Sequence, residues 1–382
     1  MIAFEYTTLQ HLWWLIVAVV GSLFLFLTFV QGGQSLLWQV AKTETEKNLV
    51  INSLGRKWEL AFTTLVLFGG ALFASFPKFY ATSFGGAYWV WMLILFSFII
   101  QAVSYEFRNK PWNIFGSSVY EFFLFINGVF GILLIGAAVG TLYTGANFTL
   151  DANNFVTWTH PYRGLEAVLS LSLASVFNLS LGLFLVFNAR TLGAMYLVSN
   201  IELGHAPEMA GRLREACRLN CLISLPFLFI IVGSLLFMRG YGIVDDQGTI
   251  ESVSFKFLHN LIANPWLILL LVGGIGLLLV GAWKTTIVGQ TRGIWFSGPG
   301  TVFIGLTVFL LPALNRTAFY PSLADPQASL TIYNASSSPY TLTVMTYVAM
   351  GVPFVLAYIG YVWWLMDSKK MTIEDTEDRS SY

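Results

Sequence analysis

The chain has 382 residues, of which 56% are hydrophobic, 16% aromatic and only 10% charged, against roughly 25% charged in soluble globular domains. Twenty basic residues balance twenty acidic ones, so the net charge offers nothing to a nucleic acid. The two cysteines, Cys217 and Cys221, make neither a disulfide framework nor, at this spacing, a zinc site, and are read as core residues.

A helix needs about 20 apolar residues to cross a bilayer. In chain order, such stretches fall at about 12–30, 60–76, 87–103, 122–142, 167–187, 219–238, 261–283, 293–314 and 340–365. The ten residues at the start carry Glu5 and no Lys or Arg, and the run after them is too long for a signal h-region, so the first helix is expected to be retained. Each run is continuously apolar rather than alternating, which selects helices over a barrel. The expected fold is all-α, a polytopic integral membrane protein with nine transmembrane helices and a single membrane domain over 1–382.

Between the fifth and sixth stretches, 189–218 reads as an amphipathic cytoplasmic segment, with Pro207 at a helix start, Glu208 beside it and basic residues later. The connections 143–163, 239–260 and 315–339 carry Asn, Asp, Thr and Gly in turn-forming runs. Ahead of the ninth stretch, Ser338-Pro339 fits an N-cap followed by proline at the first helical position. Asn334, Ser336 and Ser337 are placed to satisfy the other free N–H groups of that helix end, which have no water to turn to in a membrane.

Lys and Arg in the connections set the orientation. One side holds Lys42, Lys47, Arg56, Lys57, Arg108, Lys110, Arg190, Arg212, Arg214, Arg218, Lys284, Arg292, Lys369, Lys370 and Arg379; the other holds Lys78, Arg163, Arg239, Lys256 and Arg316. The richer side is the cytoplasmic one, which puts the N-terminus outside and the C-terminus inside.

Chemistry-bearing patterns are few. His11, His160, His205 and His259 all fall at helix ends or in loops, whereas haem in a membrane bundle is usually held by His or Met on the helices; no metal, haem, copper or iron ligation is expected in this chain. No phosphate loop, dinucleotide fingerprint or hydrolase motif is present, and no catalytic residue is assigned. Carboxylates at apolar runs are a sharper signal, because they are costly in lipid and mark ion or proton paths. Glu59, Glu106 and Glu121 sit at the cytoplasmic ends of the second, third and fourth stretches. They are either a proton route or ordinary interfacial residues favoured by helix dipoles. Glu166 is expected to pair with Arg163, and Asn127 and Asn178 to hydrogen-bond across helices. Trp13–Trp14 and Trp363–Trp364 are read as interfacial belts, and Gly69–Gly70, Gly273–Gly274 and Gly276 as close-packing positions. No charged residue is expected near any helix midpoint, which weighs against a secondary transporter with a polar site at mid-membrane.

Five runs carry a family resemblance: "SLTIYNASSSPYTLTVMTYVAM" (329–350), "INSLGRKWE" (51–59) followed by "GGALFASFPKFYA" (69–81), "LQHLWWL" (9–15) and "YEFRNK" (105–110). The chain resembles subunit II of the cytochrome bd quinol oxidases nearly end to end. The resemblance implies a bacterial inner-membrane complex that oxidises quinol and reduces dioxygen to water, building proton-motive force without pumping. It implies a partner subunit I that carries haem b and haem d, and a haem-free subunit II that supports haem assembly and a cytoplasmic proton route and in some members holds a quinone. Lipid and a small accessory membrane subunit are further expected partners. By the same resemblance Trp58 and Glu59 match a Trp–acid pair of the proton and quinone region, and Glu106 and Glu121 match acidic positions. The chain departs from the family in "FVQGGQS" (29–35), where Gln31 stands for a usual aspartate, and at Gln101, where many members have arginine. That paired loss of charge moves the expected proton path to Glu59 and Glu121, with Glu106 beside them, and leaves Trp58, Gln31 and Gln101 as a quinone or structural pocket. The alternatives are a secondary transporter and a purely structural assembly subunit.

Overall fold

The computed structural model describes residues 5–170 and 172–377. Arg379, counted above on the basic side, and Leu171, within the predicted fifth stretch, lie outside the described residues. Each of the nine predicted stretches falls on a helix: α1 (Tyr6–Ser35), α2 (Glu44–Ser75), α3 (Tyr88–Phe107), α4 (Ser117–Thr144), α5 (Leu173–Asn200), α6 (Pro207–Phe237), α7 (Pro265–Thr286), α8 (Ile294–Leu310) and α9 (Pro339–Ala349, then Val352–Asp367 after a 41° bend). Among the described residues seven are long and apolar enough to cross a membrane, eight with the bent α9 taken as one, and α8 is shorter.

Several helices run well past their apolar cores. α2 begins at Glu44 because Thr43 and Glu46 form a reciprocal capping box, so Lys57 and Glu59 fall near its middle and the expectation of uncharged midpoints fails. The expected amphipathic segment 189–218 is divided: α5 continues to Asn200, and Pro207 opens α6 with Glu208 in its first turn. Arg190 is held in the interior by Asn220 Oδ1 (2.7 Å), Gln39 Oε1 (2.9 Å) and Ser35 Oγ (3.0 Å). Besides the bent α9, α1 and α4 are locally irregular. Thr28 donates its hydroxyl to the Leu25 carbonyl at 2.6 Å where α1 breaks step, and α4 carries a π turn over Asn127–Gly131.

α5 is the central helix, buried along 83% of its apolar window. It meets α1 where the backbones touch: a Cβ on Gly193 would lie 2.3 Å from the Gly33 nitrogen, and one on Gly136 of α4 would lie 2.6 Å from the Gly182 Cα of α5. These are the close crossings that small residues permit. Of the glycines expected in that role, a Cβ on Gly274 would lie 2.8 Å from Gly300 O, one on Gly69 would make only ordinary contact, and one on Gly70, Gly273 or Gly276 would meet open space. Gly193→Val is expected to lose folded protein: overpacking a well-packed core costs roughly 1–3 kcal/mol, and here the obstacle is backbone. Size-exclusion yield in detergent checks it, with Gly273→Val as the tolerated control.

The connections α4–α5, α6–α7 and α8–α9 each supply strands: β1 (Phe148–Leu150) with β2 (Val156–Trp158), β3 (Gly240–Ile243) with β4 (Ile250–Val253), and β5 (Ala318–Tyr320) with β6 (Leu330–Thr331), all antiparallel. Bridges Ala146–Ser322 and Gly242–Thr317 join them into one cap, and the Ser322 hydroxyl donates to the Phe148 carbonyl. At the other end, the basic end, Met371 pairs with Ile201.

The polar run before α9 serves this cap. Ser338 accepts from Thr341 N–H (3.2 Å) with Pro339 following. The other polar groups act elsewhere than expected. Asn334 closes a box with Thr331, Ser336 Oγ accepts from Gln10 Nε2 (2.7 Å), and Ser337 N–H donates to the Ser75 carbonyl (2.8 Å). The run therefore fastens α1 and α2 to α9. Trp13 and Trp14 are interior rather than interfacial: their Nε1 groups donate to Leu342 O (3.1 Å) and Phe309 O (2.9 Å). Trp364 is exposed and Trp363 half-buried. Glu166 turns to Gly164 N–H (2.7 Å) and His160 Nδ1 (3.5 Å) instead of Arg163.

Candidate functional site

At the basic end, α2, α3 and α4 bring opposite charges together. Thr43 caps α2 so that Glu44 and Lys47 share one face, three residues apart. α3 delivers Arg108 at its end, and α4 delivers Glu121 in its second turn. The Arg108 and Glu121 side chains are each only 1% exposed, and the Arg108 Nε and Nη2 donate to Glu121 Oε1 at 3.1 and 2.8 Å. The other carboxylate oxygen, Oε2, accepts from Trp38 Nε1 (3.0 Å) and faces Lys47 Nζ (3.1 Å). Arg108 reaches outward to Glu44 Oε2 (3.2 Å) and Asn48 Oδ1 (2.7 Å). Glu44 is 68% exposed, so the cluster runs from the surface to a fully buried carboxylate. Two cations balance two anions, which is the condition for keeping Glu121 ionised out of water.

A second, uncharged network lies next to it. Gln34 stands at its centre: Oε1 accepts from Gln101 Nε2 (2.9 Å) and Tyr105 OH (3.0 Å), and Nε2 donates to Leu124 O (2.9 Å) and Asn127 Oδ1 (2.8 Å). Asn127 Nδ2 extends it to Ser97 Oγ (3.3 Å), and Gln31 Nε2 meets Gln101 Oε1 at the long distance of 3.5 Å. The buried Gln31 Oε1 has no partner among the described residues. Trp58 stacks on Tyr105 with ring centroids 5.8 Å apart and planes 7° from parallel, and its buried Nε1 likewise lacks an acceptor. The π turn at Asn127 widens α4 where these amides converge. Gln34→Leu is expected to destabilise the fold by about 2–4 kcal/mol, since each buried polar group left unpaired costs roughly 1–3 kcal/mol; a thermal-unfolding series against Gln34→Glu and Gln34→Asn checks it.

The predicted residues thus separate. Glu121 is the buried anchor of the charge cluster. Gln31, Gln101 and Trp58 border the amide network. Glu59 lies on the exposed face of α2, and no ion pair engages it among the described residues. Glu106 is 59% exposed and, among the described residues, pairs only with Lys110, at 3.6 Å. Sequence reasoning missed Glu44, Lys47, Trp38, Gln34 and Tyr105. The available signals were Glu44/Lys47 and Gln31/Gln34 at i,i+3 and Gln101/Tyr105 at i,i+4.

His11 and His259 are exposed and His160 sits half-buried in a loop, so none of these three offers an axial ligand inside the bundle. No group of three or more His, Cys, Asp or Glu converges among the described residues.

A bundle of apolar helices with buried charge and amide networks at one end defines a polytopic membrane protein whose apolar interior holds local polar networks. The sequence model of the family described as cytochrome bd terminal oxidase subunit II matches residues 9–366. The chain is 27% identical to cytochrome bd-I ubiquinol oxidase subunit 2 of Escherichia coli (strain K12), with 98% of each chain covered. It is 26% identical to the probable cytochrome oxidase subunit 2 of Haemophilus influenzae, with 94% of each covered. The fold is similar to a chain of the bd oxidase from Geobacillus thermodenitrificans, with a TM-score of 0.63 over 95% of this chain and 100% of that one, at 16% identity. The chain belongs to the cytochrome bd terminal oxidase subunit II family. It is a multi-pass subunit of a respiratory quinol oxidase in the bacterial inner membrane.

Proposed function

We propose that this chain is the haem-free half of the oxidase, crossing the membrane nine times with its N-terminus outside, and that it helps protons reach the oxygen-reducing site from the cytoplasm. Haem b and haem d, with the chemistry of electron transfer to dioxygen, belong in this reading to subunit I. The single observation that carries the proton role is the continuity from exposed Glu44 through Lys47 and Arg108 to buried Glu121. Beyond it, the Leu124 carbonyl and Gln34 lead to Tyr105 and Gln101. Amides do not pass a proton on without tautomerising, so the groups able to relay one past Glu121 are the Tyr105 hydroxyl and water. Glu59, on the exposed face, and Glu106, at the rim, serve as collecting carboxylates next to subunit I and the cytoplasm. The unpaired Trp58 Nε1 suits a quinone carbonyl, which accepts a hydrogen bond, and the unpaired Gln31 Oε1, with Gln101 between helices, suits a quinol hydroxyl, which donates one. Quinol oxidation, an accessory subunit and bound lipid are parts of the same reading.

A structural reading is favoured by one feature: Glu121 is saturated by two cations and an indole N–H, which suits an anchor that joins α2, α3 and α4. The variants that separate the two are Glu59→Gln and Glu121→Gln in the intact complex, scored for haem content by reduced-minus-oxidised spectra and for quinol-oxidase turnover. Full haem with lost turnover supports proton delivery; unchanged turnover in both excludes it.

A further inference from the structure

The end of α1 supplies Gln31, Gln34 and Trp38 to the site, yet it is not a regular helix. α1 stops at Ser35, and one further turn, Leu37–Val40, follows after Leu36. The Gln39 N–H donates to the Leu36 carbonyl (2.8 Å), three residues back, so the Ser35 carbonyl, four residues back, is left over. Arg190 of α5 takes it. Its Nη1 donates to Ser35 O (3.1 Å) and Ser35 Oγ (3.0 Å), its Nη2 to Gln39 Oε1 (2.9 Å) and its Nε to Asn220 Oδ1 of α6 (2.7 Å). Arg212 of α6 closes the same end: its Nε donates to Val40 O (2.8 Å) and its Nη2 pairs with Glu46 Oε1 (2.6 Å). Cations on the last carbonyls of a helix are favoured by its dipole.

Helical positions four apart share a face. Ser35 and Gln39 meet Arg190, whereas Gln34 and Trp38, one residue earlier on each turn, meet α4. There Gln34 Nε2 reaches Leu124 O and Asn127 Oδ1, Trp38 Nε1 reaches Glu121 Oε2 (3.0 Å), and the Trp38 ring stacks on Phe125 with centroids 5.5 Å apart. One residue is roughly 100° of helix rotation, so holding 35 and 39 fixes where 34 and 38 point. The acceptors around Arg190 are all neutral. A half-buried cation gains little from them as a charge. What the guanidinium supplies is a planar fork of N–H groups in fixed geometry, which can hold both turns of α1 and α6 at once; an ammonium cannot. We propose that Arg190 is a positioning residue of the oxidase: through Ser35 and Gln39 it sets the rotation of the end of α1 that brings Trp38 Nε1 onto Glu121 and Gln34 between Leu124 and Asn127. This role rests on the proton reading of Glu121 and adds to it the element that aims the site.

The test uses the intact oxidase complex labelled with fluorotryptophan. The fluorine resonance of Trp38 is assigned by its disappearance in Trp38→Phe. Arg190→Lys keeps the charge and loses the fork. Gln39→Met removes one acceptor and leaves the arginine, a milder change that serves if the lysine variant does not assemble. Both variants should move the Trp38 resonance, Arg190→Lys further. At full haem content, Arg190→Lys should also displace the pH profile of turnover and lower turnover per haem by roughly ten- to a hundredfold, as misplacing a positioned group does. An unmoved Trp38 resonance in Arg190→Lys, or in Gln39→Met where the lysine variant does not assemble, overturns the proposal. A moved resonance with unaltered turnover and pH profile leaves the positioning of Trp38 standing and rejects the proton role of Glu121 instead, so the two failures are distinguishable.

Discussion

Glu121→Gln is expected to lower the yield of assembled complex and its thermal stability by about 3–5 kcal/mol, the cost of breaking a buried ion pair and leaving the other charge uncompensated. The stranded group is Arg108, 1% exposed, which would keep only the solvent-exposed Glu44 as an anionic partner. Lys47 still has Glu44 at 2.8 Å and suffers less. The sign of the double variant is the informative part. Glu121→Gln with Arg108→Gln removes both buried charges, so stability should recover most of the loss. If Glu121 is only an anchor, turnover per haem returns together with stability. If Glu121 delivers protons, the double variant assembles with full haem and still turns over slowly, because a glutamine cannot hold the proton. A double-mutant cycle in both stability and turnover per haem reads the two roles from one set of proteins.

The parts of this molecule that were legible in the sequence are those governed by local composition. Each continuous apolar run falls on a helix, seven of them long and apolar enough to cross a membrane among the described residues, or eight with the bent α9 taken as one, and Ser338-Pro339 and Pro207-Glu208 mark two helix starts correctly. What was not legible are helix ends and partners. α2 extends 16 residues before its apolar run because positions such as Ser53 and Lys57 are polar yet buried, satisfied by Asn200 and Asp367 from distant helices. Hydropathy counts such residues as surface. Arg190 misled in the same way: it reads as the start of a cytoplasmic segment, but its guanidinium is enclosed by α1 and α6. In the site, the family resemblance led to Gln31 and Gln101, whereas Gln34, one turn along α1 from Gln31, makes four hydrogen bonds that no local pattern announces. Trp13 and Trp14 show the converse. An aromatic pair near a helix start reads as a membrane belt until α8 and α9 are seen packed over it.

The second large effect is expected at Lys57. Lys57→Met removes an ammonium that is 2% exposed and leaves the Asp367 carboxylate with two neutral donors, Tyr196 OH and Asn200 Nδ2. Breaking such a pair costs about 3–5 kcal/mol, and here the cost falls on one element. The half of α9 from Val352 to Asp367 buries no side chain of its own. It is tied to the bundle through Trp363, which packs on Phe26 and Phe29, through Asp367 and, just beyond, through Met371, whose N–H donates to Asn200 O (2.8 Å) and whose carbonyl accepts from Glu202 N–H (2.9 Å). With the charge pair gone, this half should detach before the rest unfolds, as a region with few buried contacts does. Limited proteolysis should then cut near Ser368 at least tenfold faster than in the unaltered chain, a factor that corresponds to about 1.4 kcal/mol of local opening, while the haem spectrum of the complex is unchanged. Lys57→Met combined with Asp367→Leu restores a neutral, packed contact and should slow the cleavage again. Equal cleavage in all three proteins would mean that α9 is held by the backbone pairing at Met371 and not by the buried charges.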